Sequence, residues 1–277
     1  MTMKIIYIVA FFVATASFAH SVTIKTLPET VVQGSPLYVE ISSQEKLSCK
    51  TVTFNSQTIV PFKVDDHTCA ALFGIDLTTP PNKYTLTFDR LFSKKISIQK
   101  LTLPTETLTL KEIDPKYLDQ IKKDDATLAK IFKTVTKSRY YHGSFISPLD
   151  TLYVTSYFGK PRVINGTPRK PHAGLDLRGA EGTDVKATND GHVVFSDELF
   201  LSGKSIIIDH GWGVYSMYFH LSNQKVKKNA EVKKGDVIGC VGKTGYRVSK
   251  SHLHFGVYIL TAKIDPLLLF KIPIRFE

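Results

Sequence analysis

The sequence predicts a mainly β protein: an N-terminal Ig-like β-sandwich, a helical linker and a C-terminal antiparallel β domain. Short runs that alternate apolar and polar residues fill most of the first hundred positions. One stretch with a helical period follows, and glycine-rich, strand-like runs then continue to the end of the chain. The 277 residues allow one large domain or two ordinary ones.

The N-terminal residues 1–19 have the pattern of a secretory signal peptide. Lys4 supplies a positive start, residues 5–16 are apolar, and Ser17-Phe18-Ala19 is a small-x-small cleavage site. The apolar run is short for a membrane span, so we expect no stable span after cleavage. An uncleaved membrane anchor is the alternative. The pattern predicts an exported protein.

Residues 20–105 are predicted to form the β-sandwich. Turn signals such as Gln33-Gly34-Ser35-Pro36 and Pro80-Pro81-Asn82 separate its strand-like runs. The runs that show the two-residue period are VTIKTL, LYVEIS, KTVTFN, YTLTFD and KISIQKL.

Three cysteines add a constraint. Export permits a disulfide between Cys49 and Cys69, and two free thiols are the alternative because the sequence does not set their distance. Cys240 lies in the apolar run VIGCVG, which predicts a buried structural thiol.

Residues 106–145 are predicted to form the linker, with one or two helices. Asp114 followed by Pro115 is a helix-start signal, an N-cap before a proline in the first turn. Six apolar residues of this stretch recur with the period of a helix: Leu118, Ile121, Leu128, Ile131, Phe132 and Val135.

Residues 146–277 are predicted to form the second β domain. Its strand-like runs are YVTSYFG, VVFSD, SIIIDHG, VYSMYFHL, VIGCVG and LHFGVYIL.

The net charge of the chain indicates which classes of partner it could bind. The formal net charge is +11, and removal of residues 1–19 takes away only Lys4, which leaves +10. A basic exported protein suits an anionic polymer such as a bacterial wall. Export and the lack of helix-turn-helix, zinc-finger and basic-zipper patterns argue against nucleic acid as the partner.

Two histidine motifs stand out among the nine histidines. His252 and His254 are two residues apart in a strand-like run, so their side chains point to the same face. Both could bind a metal, or one could bind while the other acts as a base. Two surface histidines on an edge strand are the alternative for this motif alone.

His172 and Asp176 form the second motif, and both residue types bind zinc. In an extended strand they would lie about 13 Å apart, at about 3.3 Å per residue. A single ion would therefore need a bent segment, and Gly174 offers the bend. A solvent-exposed aspartate beside a histidine that caps a loop is the alternative.

Together the motifs closely resemble the lysostaphin- and LytM-type zinc metallopeptidases. The resemblance covers SYFGKPRVINGTPRKPHAGLDLRGAEGTDVKATNDGHVVFSD, IIIDHGWGVYSMYFHLS and VKKGDVIGCVGKTGYRVSKSHLHFGVY. It implies that one Zn²⁺ per chain is held by His172, Asp176 and His254, and that His220 and His252 flank the water that the zinc activates. Three protein ligands would leave a fourth zinc position for that water, as in catalytic sites.

Arg162 and Asn165 lie just before the ligand motif and are interpreted as residues that line the substrate cleft, with surface positions as the alternative. The function that the resemblance implies is hydrolysis of peptide cross-links in bacterial peptidoglycan, with D,D-endopeptidase activity in the periplasm favoured. The alternatives are a non-catalytic regulator of other wall hydrolases and a protease that acts on proteins. Residues 22–140 are expected to restrict access to the site, so that removing them speeds hydrolysis; a substrate-guiding role is the alternative.

Overall fold

The computed structural model of this protein describes residues 22–275. The predicted signal peptide lies outside the described residues. Within the described range the chain is mainly β, as the sequence predicts. No helix between residues 22 and 275 has the length and apolar character needed to cross a membrane.

The N-terminal region contributes ten strands. They are β1 (Val22–Leu27), β2 (Val31–Val32), β3 (Pro36–Ser43), β4 (Val52–Phe54), β5 (Gln57–Ile59), β6 (Phe62–Asp65), β7 (Thr68–Gly74), β8 (Asn82–Phe88), β9 (Phe92–Gln99) and β10 (Glu106–Leu108). The first nine form two sheets, in the orders β1-β3-β7-β6 and β2-β9-β8-β4-β5. Their pairings are antiparallel except for β2 with β9.

The two N-terminal sheets share one apolar core. In β9, Ile96 and Ile98 are buried whereas Lys95 and Ser97 are exposed, the alternation expected of a half-buried strand. Phe54 of one sheet meets Phe73 of the other edge to face, with ring centroids 5.8 Å apart. The alternating runs therefore form a sandwich because each sheet has one apolar face to bury.

A single long helix follows, α1 (Leu118–Lys133), preceded by a 3₁₀ turn at Pro115–Tyr117. The Asp114 carboxylate accepts a hydrogen bond from the backbone N–H of Lys116 at 3.0 Å. This confirms the helix-start signal, since a side-chain acceptor here satisfies an amide that has no partner within the helix.

The helix packs on the C-terminal domain through its last turn. The Phe132 ring stacks on Tyr258 at 4.0 Å and meets Tyr215 edge to face at 5.6 Å. The predicted apolar face of the helix includes two residues that are not buried: Leu118 is 47% exposed, and Val135 is 52% exposed. Val135 lies beyond the helix because Thr134 adopts an extended backbone.

The C-terminal region contributes thirteen further strands and a short helix. They are β11 (Val154–Ser156), β12 (Arg162–Ile164), β13 (Thr167–Arg169), β14 (Leu175–Arg178), β15 (Asp184–Lys186), β16 (Gly191–Leu199), β17 (Gly203–Gly211), β18 (Val214–Leu221), β19 (Asn223–Gln224), β20 (Glu231–Val232), β21 (Val237–Cys240), β22 (His252–Ile259), β23 (Ala262–Ile264) and α2 (Pro266–Leu269). The main sheet has the order β11-β14-β22-β18-β17-β16-β20, with β23 beside β22. Its pairings are antiparallel.

Two small sheets complete the C-terminal region, β10-β12-β13 and β15-β21-β19. The first joins the two halves of the chain, because β10 pairs in parallel with β12. The halves also pack directly. A Cβ at Gly74 of β7 would lie 2.7 Å from the carbonyl oxygen of Ile259 and 2.8 Å from the Cβ of Ala262. This close approach explains why β7 is buried over most of its length, on both faces.

Two of the three cysteines form a disulfide, and the third is free. Cys49 and Cys69 form a disulfide, with their Cα atoms 5.6 Å apart. Cys240 is a free cysteine. The prediction that it is buried is wrong: it is half-buried at the end of β21, with its Sγ 3.8 Å from a carboxylate oxygen of Asp184.

Candidate metal centre

Two neighbouring strands bring the site together. In the antiparallel pair β14 and β22, Asp176 lies opposite His254, and Arg178 lies opposite His252. Residues that face each other across such a pair project to the same side of the sheet. His252 and His254 share that side because they are two residues apart.

His172 reaches the site from the segment before β14. The chain bends at Gly174, one residue before the strand begins. A Cβ on Gly174 would lie 2.5 Å from the carbonyl oxygen of Phe255 and 2.8 Å from Nε2 of His254. The bend thus occurs where the sequence predicts it. The glycine is also needed because strand and imidazole approach its Cα too closely for a side chain.

Three ligand atoms form a compact triangle. His172 Nε2 lies 3.1 Å from His254 Nδ1 and 3.1 Å from Asp176 Oδ1, and His254 Nδ1 lies 2.8 Å from Asp176 Oδ1. A tetrahedral ion with bonds of about 2.0–2.1 Å has ligand atoms about 3.3 Å apart, so the triangle is close to the size that zinc requires. These residues could hold a metal ion.

Outer hydrogen bonds fix the ligands. His172 Nδ1 lies 3.1 Å from the carbonyl oxygen of Tyr157, so the ring N–H at Nδ1 donates there and leaves the Nε2 lone pair for a metal. Asp176 uses its two oxygens differently: Oδ1 faces the imidazoles, and Oδ2 accepts from Arg162 Nη2 at 3.1 Å. These hydrogen bonds use the atoms of His172 and Asp176 that do not face the metal centre, so they fix the orientation of both ligands.

Two further histidines lie beside the triangle. The His220 ring, at the end of β18, is 4.9 Å from the His252 ring and 6.0 Å from the His254 ring, centroid to centroid. His220 Nδ1 is 3.0 Å from the carbonyl oxygen of Thr244, and His252 Nδ1 is 2.9 Å from that of Lys250. Each Nδ1–H therefore donates to a backbone carbonyl, and each Nε2 is left as a proton acceptor.

Burial and hydrogen bonding set the protonation of three residues of the site. Burial, together with the nearby His254 and His252 rings, lowers the pKa of His220 to about 3. Burial also lowers the pKa of His172 against the opposing effect of Asp176. Burial alone would raise the pKa of Asp176, but hydrogen bonding to His172 and His254 outweighs it and holds the pKa well below its usual range. Neutral imidazoles and an ionised carboxylate are the forms that ligate metals.

The chain's similarity to known proteins lies over the same residues. Residues 170–266 match peptidase family M23, a range that contains His172, Asp176, His220, His252 and His254. The chain carries a peptidase family M23 domain. The match confirms the predicted relationship to this class of metallopeptidase.

Curated relatives of the M23 domain include wall enzymes. The chain is 34% identical over 114 residues to the peptidoglycan DD-endopeptidase ShyA of Vibrio cholerae, which covers 40% of this chain and 26% of ShyA. It is 35% identical over 126 residues to the DD-carboxypeptidase/endopeptidase Mpg of Neisseria meningitidis, which covers 45% of this chain and 29% of Mpg. The chain therefore matches less than a third of the length of either relative.

A crystal structure extends the likeness beyond the M23 domain. The Pseudomonas aeruginosa protein, described as belonging to peptidase M23, has a TM-score of 0.66 and 24% sequence identity, over 86% of this chain and 94% of that one. The shared fold thus includes the N-terminal β region as well as the M23 domain.

Arg162 and Asn165, the two predicted cleft residues, precede the M23 match. Asn165 stands at the turn between β12 and β13 with a φ of 50°, and its side chain bonds to residues 110 and 112. Arg162 is bonded to Asp176 and to Glu106. Their predicted contact with substrate stays a prediction.

Sequence reasoning missed Glu106, Ser156 and Thr244 at this site. Glu106 precedes the M23 domain and enters through the parallel pairing of β10 with β12. Thr244 contributes only a backbone carbonyl, which carries no signature in the sequence. One signal was available: Asn165-Gly166 between β-branched residues is a hairpin-turn pattern, and it indicates the β12–β13 hairpin.

Proposed function

We propose that this protein is an exported, zinc-dependent peptidoglycan hydrolase that cleaves peptide cross-links of the bacterial wall as a D,D-endopeptidase. The observation that carries the proposal is the triangle of His172 Nε2, Asp176 Oδ1 and His254 Nδ1, with sides of 2.8–3.1 Å. The names of the relatives at 34–35% identity supply the substrate class. The periplasm is the proposed location, with residues 1–19 as the signal peptide.

The donor set fits zinc. Two imidazole nitrogens and one carboxylate oxygen are ligands that zinc binds, and three protein ligands are typical of a catalytic zinc. Zinc, when bound by these residues, supplies Lewis-acid activation of water and of the scissile carbonyl. Asp176 brings the single negative charge of the set, and Arg162 on its second oxygen keeps Oδ1 directed at the imidazoles.

His220 and His252 are proposed to move the protons. Each has Nε2 as the acceptor, because its Nδ1–H is held by a backbone carbonyl. His252 Nε2 lies 3.8 Å from Asp176 Oδ1, so its acceptor nitrogen is beside the ligand set. One imidazole takes the proton of the attacking water, and a protonated imidazole supports the developing oxyanion and returns a proton to the leaving amine.

The domain division is also a proposal. Residues 20–105 form a sandwich domain, 106–145 a linker and 146–277 the peptidase domain. The basic charge of the chain suits acidic peptide stems.

Mass spectrometry of muropeptides tests the function. The zinc-loaded mature chain is incubated with a purified cross-linked dimer, with a pentapeptide monomer and with casein. An endopeptidase converts the dimer into two monomers, a carboxypeptidase shortens the pentapeptide, and a general protease degrades casein. No cleavage of the dimer by wild-type protein that holds one zinc would overturn the proposal in favour of a non-catalytic regulator.

Two variants assign the histidines. His252→Ala is expected to keep zinc and to lose about 10²–10⁴ in rate, the usual effect of removing a general base. His142→Ala, at an exposed histidine outside the site, is the control and is expected to match wild type. Equal loss of zinc in His252→Ala and His254→Ala would mean that both residues are ligands.

A further inference from the structure

A carboxylate outside the M23 domain lies behind the metal centre. Glu106 opens β10 and stands opposite Arg162 in the parallel pairing with β12. Its backbone N–H donates to the carbonyl oxygen of Pro161 at 2.8 Å, which fixes the main chain at this point. The side chain is 16% exposed. A carboxylate this buried must be compensated by partners.

Every partner of the Glu106 carboxylate is a donor from the edge of the metal centre. Oε2 accepts from Arg162 Nε at 2.9 Å, and Oε1 accepts from Ser156 Oγ at 2.9 Å and from Lys160 Nζ at 3.3 Å. Burial alone would raise the pKa of Glu106, but the bonds from Ser156 and Arg162 outweigh it and lower the pKa below its usual value. The carboxylate is thus the ionised hub of a cluster of cationic and hydroxyl donors.

Two of these donors contact proposed metal ligands. The Nη2 of Arg162 bonds to Asp176 Oδ2 at 3.1 Å, and Ser156 Oγ lies 3.3 Å from His172 Nδ1. Glu106 is therefore one residue removed from two of the three ligands. Glu106 lies far before the ligand motifs in the sequence, so it reaches the metal centre only because the chain folds back on itself.

The geometry points to Glu106 as a positioning residue for the metal centre, which acts by holding Arg162 so that only one arm of its guanidinium reaches Asp176. This inference rests on the proposed metal site. Arginine–carboxylate pairs are frequently bidentate, so an arginine free to turn favours binding both oxygens. Arg162 would then draw Oδ1 of Asp176 away from the imidazoles. With its Nε side held by Glu106, Arg162 takes only Oδ2 and leaves Oδ1 as a ligand.

Charge balance gives Glu106 a second effect on the ion. Lys160 and Arg162 are two cations beside a site that must accept a dication, and their side chains are only 23% and 20% exposed. Glu106 and Asp176 are the two anions that balance them. Without the charge of Glu106, the field at the ligands becomes more positive and cation binding weakens.

The test is zinc affinity, measured by competition with a chromophoric chelator on the mature chain. Loss of a partner behind a metal ligand typically costs about 10- to 100-fold in affinity. We expect Glu106→Gln, which keeps the shape and removes the charge, to lose about tenfold or more. Glu106→Asp, which keeps the charge, is expected to recover most of that loss.

Glu112→Gln is the matched control, because it removes the same charge from the same segment at a residue that bonds to Asn165 instead of Arg162. It is expected to bind zinc within twofold of wild type. In an Arg162→Met background, Glu106→Gln is expected to lose less zinc affinity than it does in wild type, since its positioning effect passes through Arg162 and only its effect on the field at the ion remains.

A structural role alone would lower the melting temperature of Glu106→Gln without changing its zinc affinity, and that outcome overturns the inference. So does a loss that adds in full to that of Arg162→Met. Should Glu106→Gln fail to fold, Glu106→Gln/Lys160→Met keeps the charge of the cluster and still frees Arg162, so the part of the loss that comes from positioning is still expected. If wild-type protein binds no zinc, the proposed function itself is refuted. This measurement needs no variant, so the two failures are distinguishable.

Discussion

Residues 110–112, here called the strap, form hydrogen bonds to two loops, one near Arg162 and one that contains Thr244. On the side of Arg162 and Asp176, the strap bonds to the tip of the β12–β13 hairpin: Asn165 Nδ2 donates to the carbonyl oxygen of Leu110 at 2.9 Å, and Asn165 Oδ1 accepts from its N–H at 2.9 Å. Nδ2 of Asn165 also donates to the carboxylate of Glu112.

The other end of the strap bonds to the loop that carries Thr244, the partner of His220. Arg247 Nε donates to the carbonyl oxygen of Lys111 at 2.8 Å, and Tyr246 Oη donates to that of Glu112 at 3.3 Å. We therefore predict that the strap restricts access to the site and that its release speeds hydrolysis.

Asn165→Gly is the sharpest perturbation of the strap. Asn165 has a φ of 50°, a left-handed conformation that glycine adopts without strain, so the turn should survive. The substitution removes all three hydrogen bonds of the side chain to the strap. An ordinary hydrogen bond contributes about 0.5–1.5 kcal/mol net, and these are exposed, so about 1–3 kcal/mol is lost in total.

That loss sets the size of the expected activation. If the strap is closed most of the time, weakening it by about 1–3 kcal/mol raises the open fraction about 5- to 150-fold, and kcat/KM rises with the open fraction. The assay is kcat/KM on a small soluble muropeptide dimer at equal zinc content. Asn229→Gly is the control, because Asn229 has a φ of 71°, is exposed and lies in a different turn.

An unchanged or lower kcat/KM in Asn165→Gly would refute the closing role of the strap. A rise in KM alone would favour the predicted contact of Asn165 with substrate. The point variant is a better test than deletion of residues 22–140. That deletion would also remove Glu106 and Phe132 and would uncover the face of the C-terminal domain on which β7 packs.

Two further outcomes follow from close packing and from burial. Gly174→Ala is expected to cost about 1–3 kcal/mol in stability and to weaken zinc binding more than tenfold, because its Cβ would lie 2.5 Å from a backbone oxygen and 2.8 Å from His254 Nε2. Gly239→Ala, whose Cβ would lie 2.6 Å from the carbonyl oxygen of Asn223, is expected to lose stability and keep zinc affinity; equal affinity in both variants would contradict the account. Burial lowers the pKa of His210 to about 4, so the unfolded chain, with a histidine pKa of about 6.5, binds the proton more readily. The stability from neutral His210 is complete above about pH 6.5 and is lost as the pH falls toward 4, at most about 3 kcal/mol. Urea unfolding in chelator at several pH values should show this fall in wild type and a smaller one in His210→Gln, and identical pH profiles would refute it.

The sequence was most informative where local period and chemistry coincide. The two-residue period of His252 and His254 predicts their shared face, and the short distance that one ion demands predicts the bend at Gly174; the structure has both. The mainly β fold followed from alternation in the same way. In each case the information lies within a few neighbouring residues.

Long-range contacts were not predictable. No local pattern indicates that β10 pairs with β12, so neither the Glu106–Arg162 pair nor the strap could be read from the sequence. The helical linker is likewise less separate than its charge suggests, because Phe132 stacks on Tyr258 of the C-terminal sheet. Cys240 was expected to be buried from its apolar neighbours, but it is the last residue of β21 in the small sheet β15-β21-β19, and it is half-buried there.

The most direct test of the metal centre is a crystal structure of the zinc-loaded protein with anomalous data collected at the zinc edge. We expect one strong peak per chain, about 2.0–2.1 Å from His172 Nε2, Asp176 Oδ1 and His254 Nδ1, with His220 and His252 outside bonding distance. A peak bonded to His220 or His252 in place of one of these ligands, or no peak at this triangle in protein that contains zinc, would contradict this expectation.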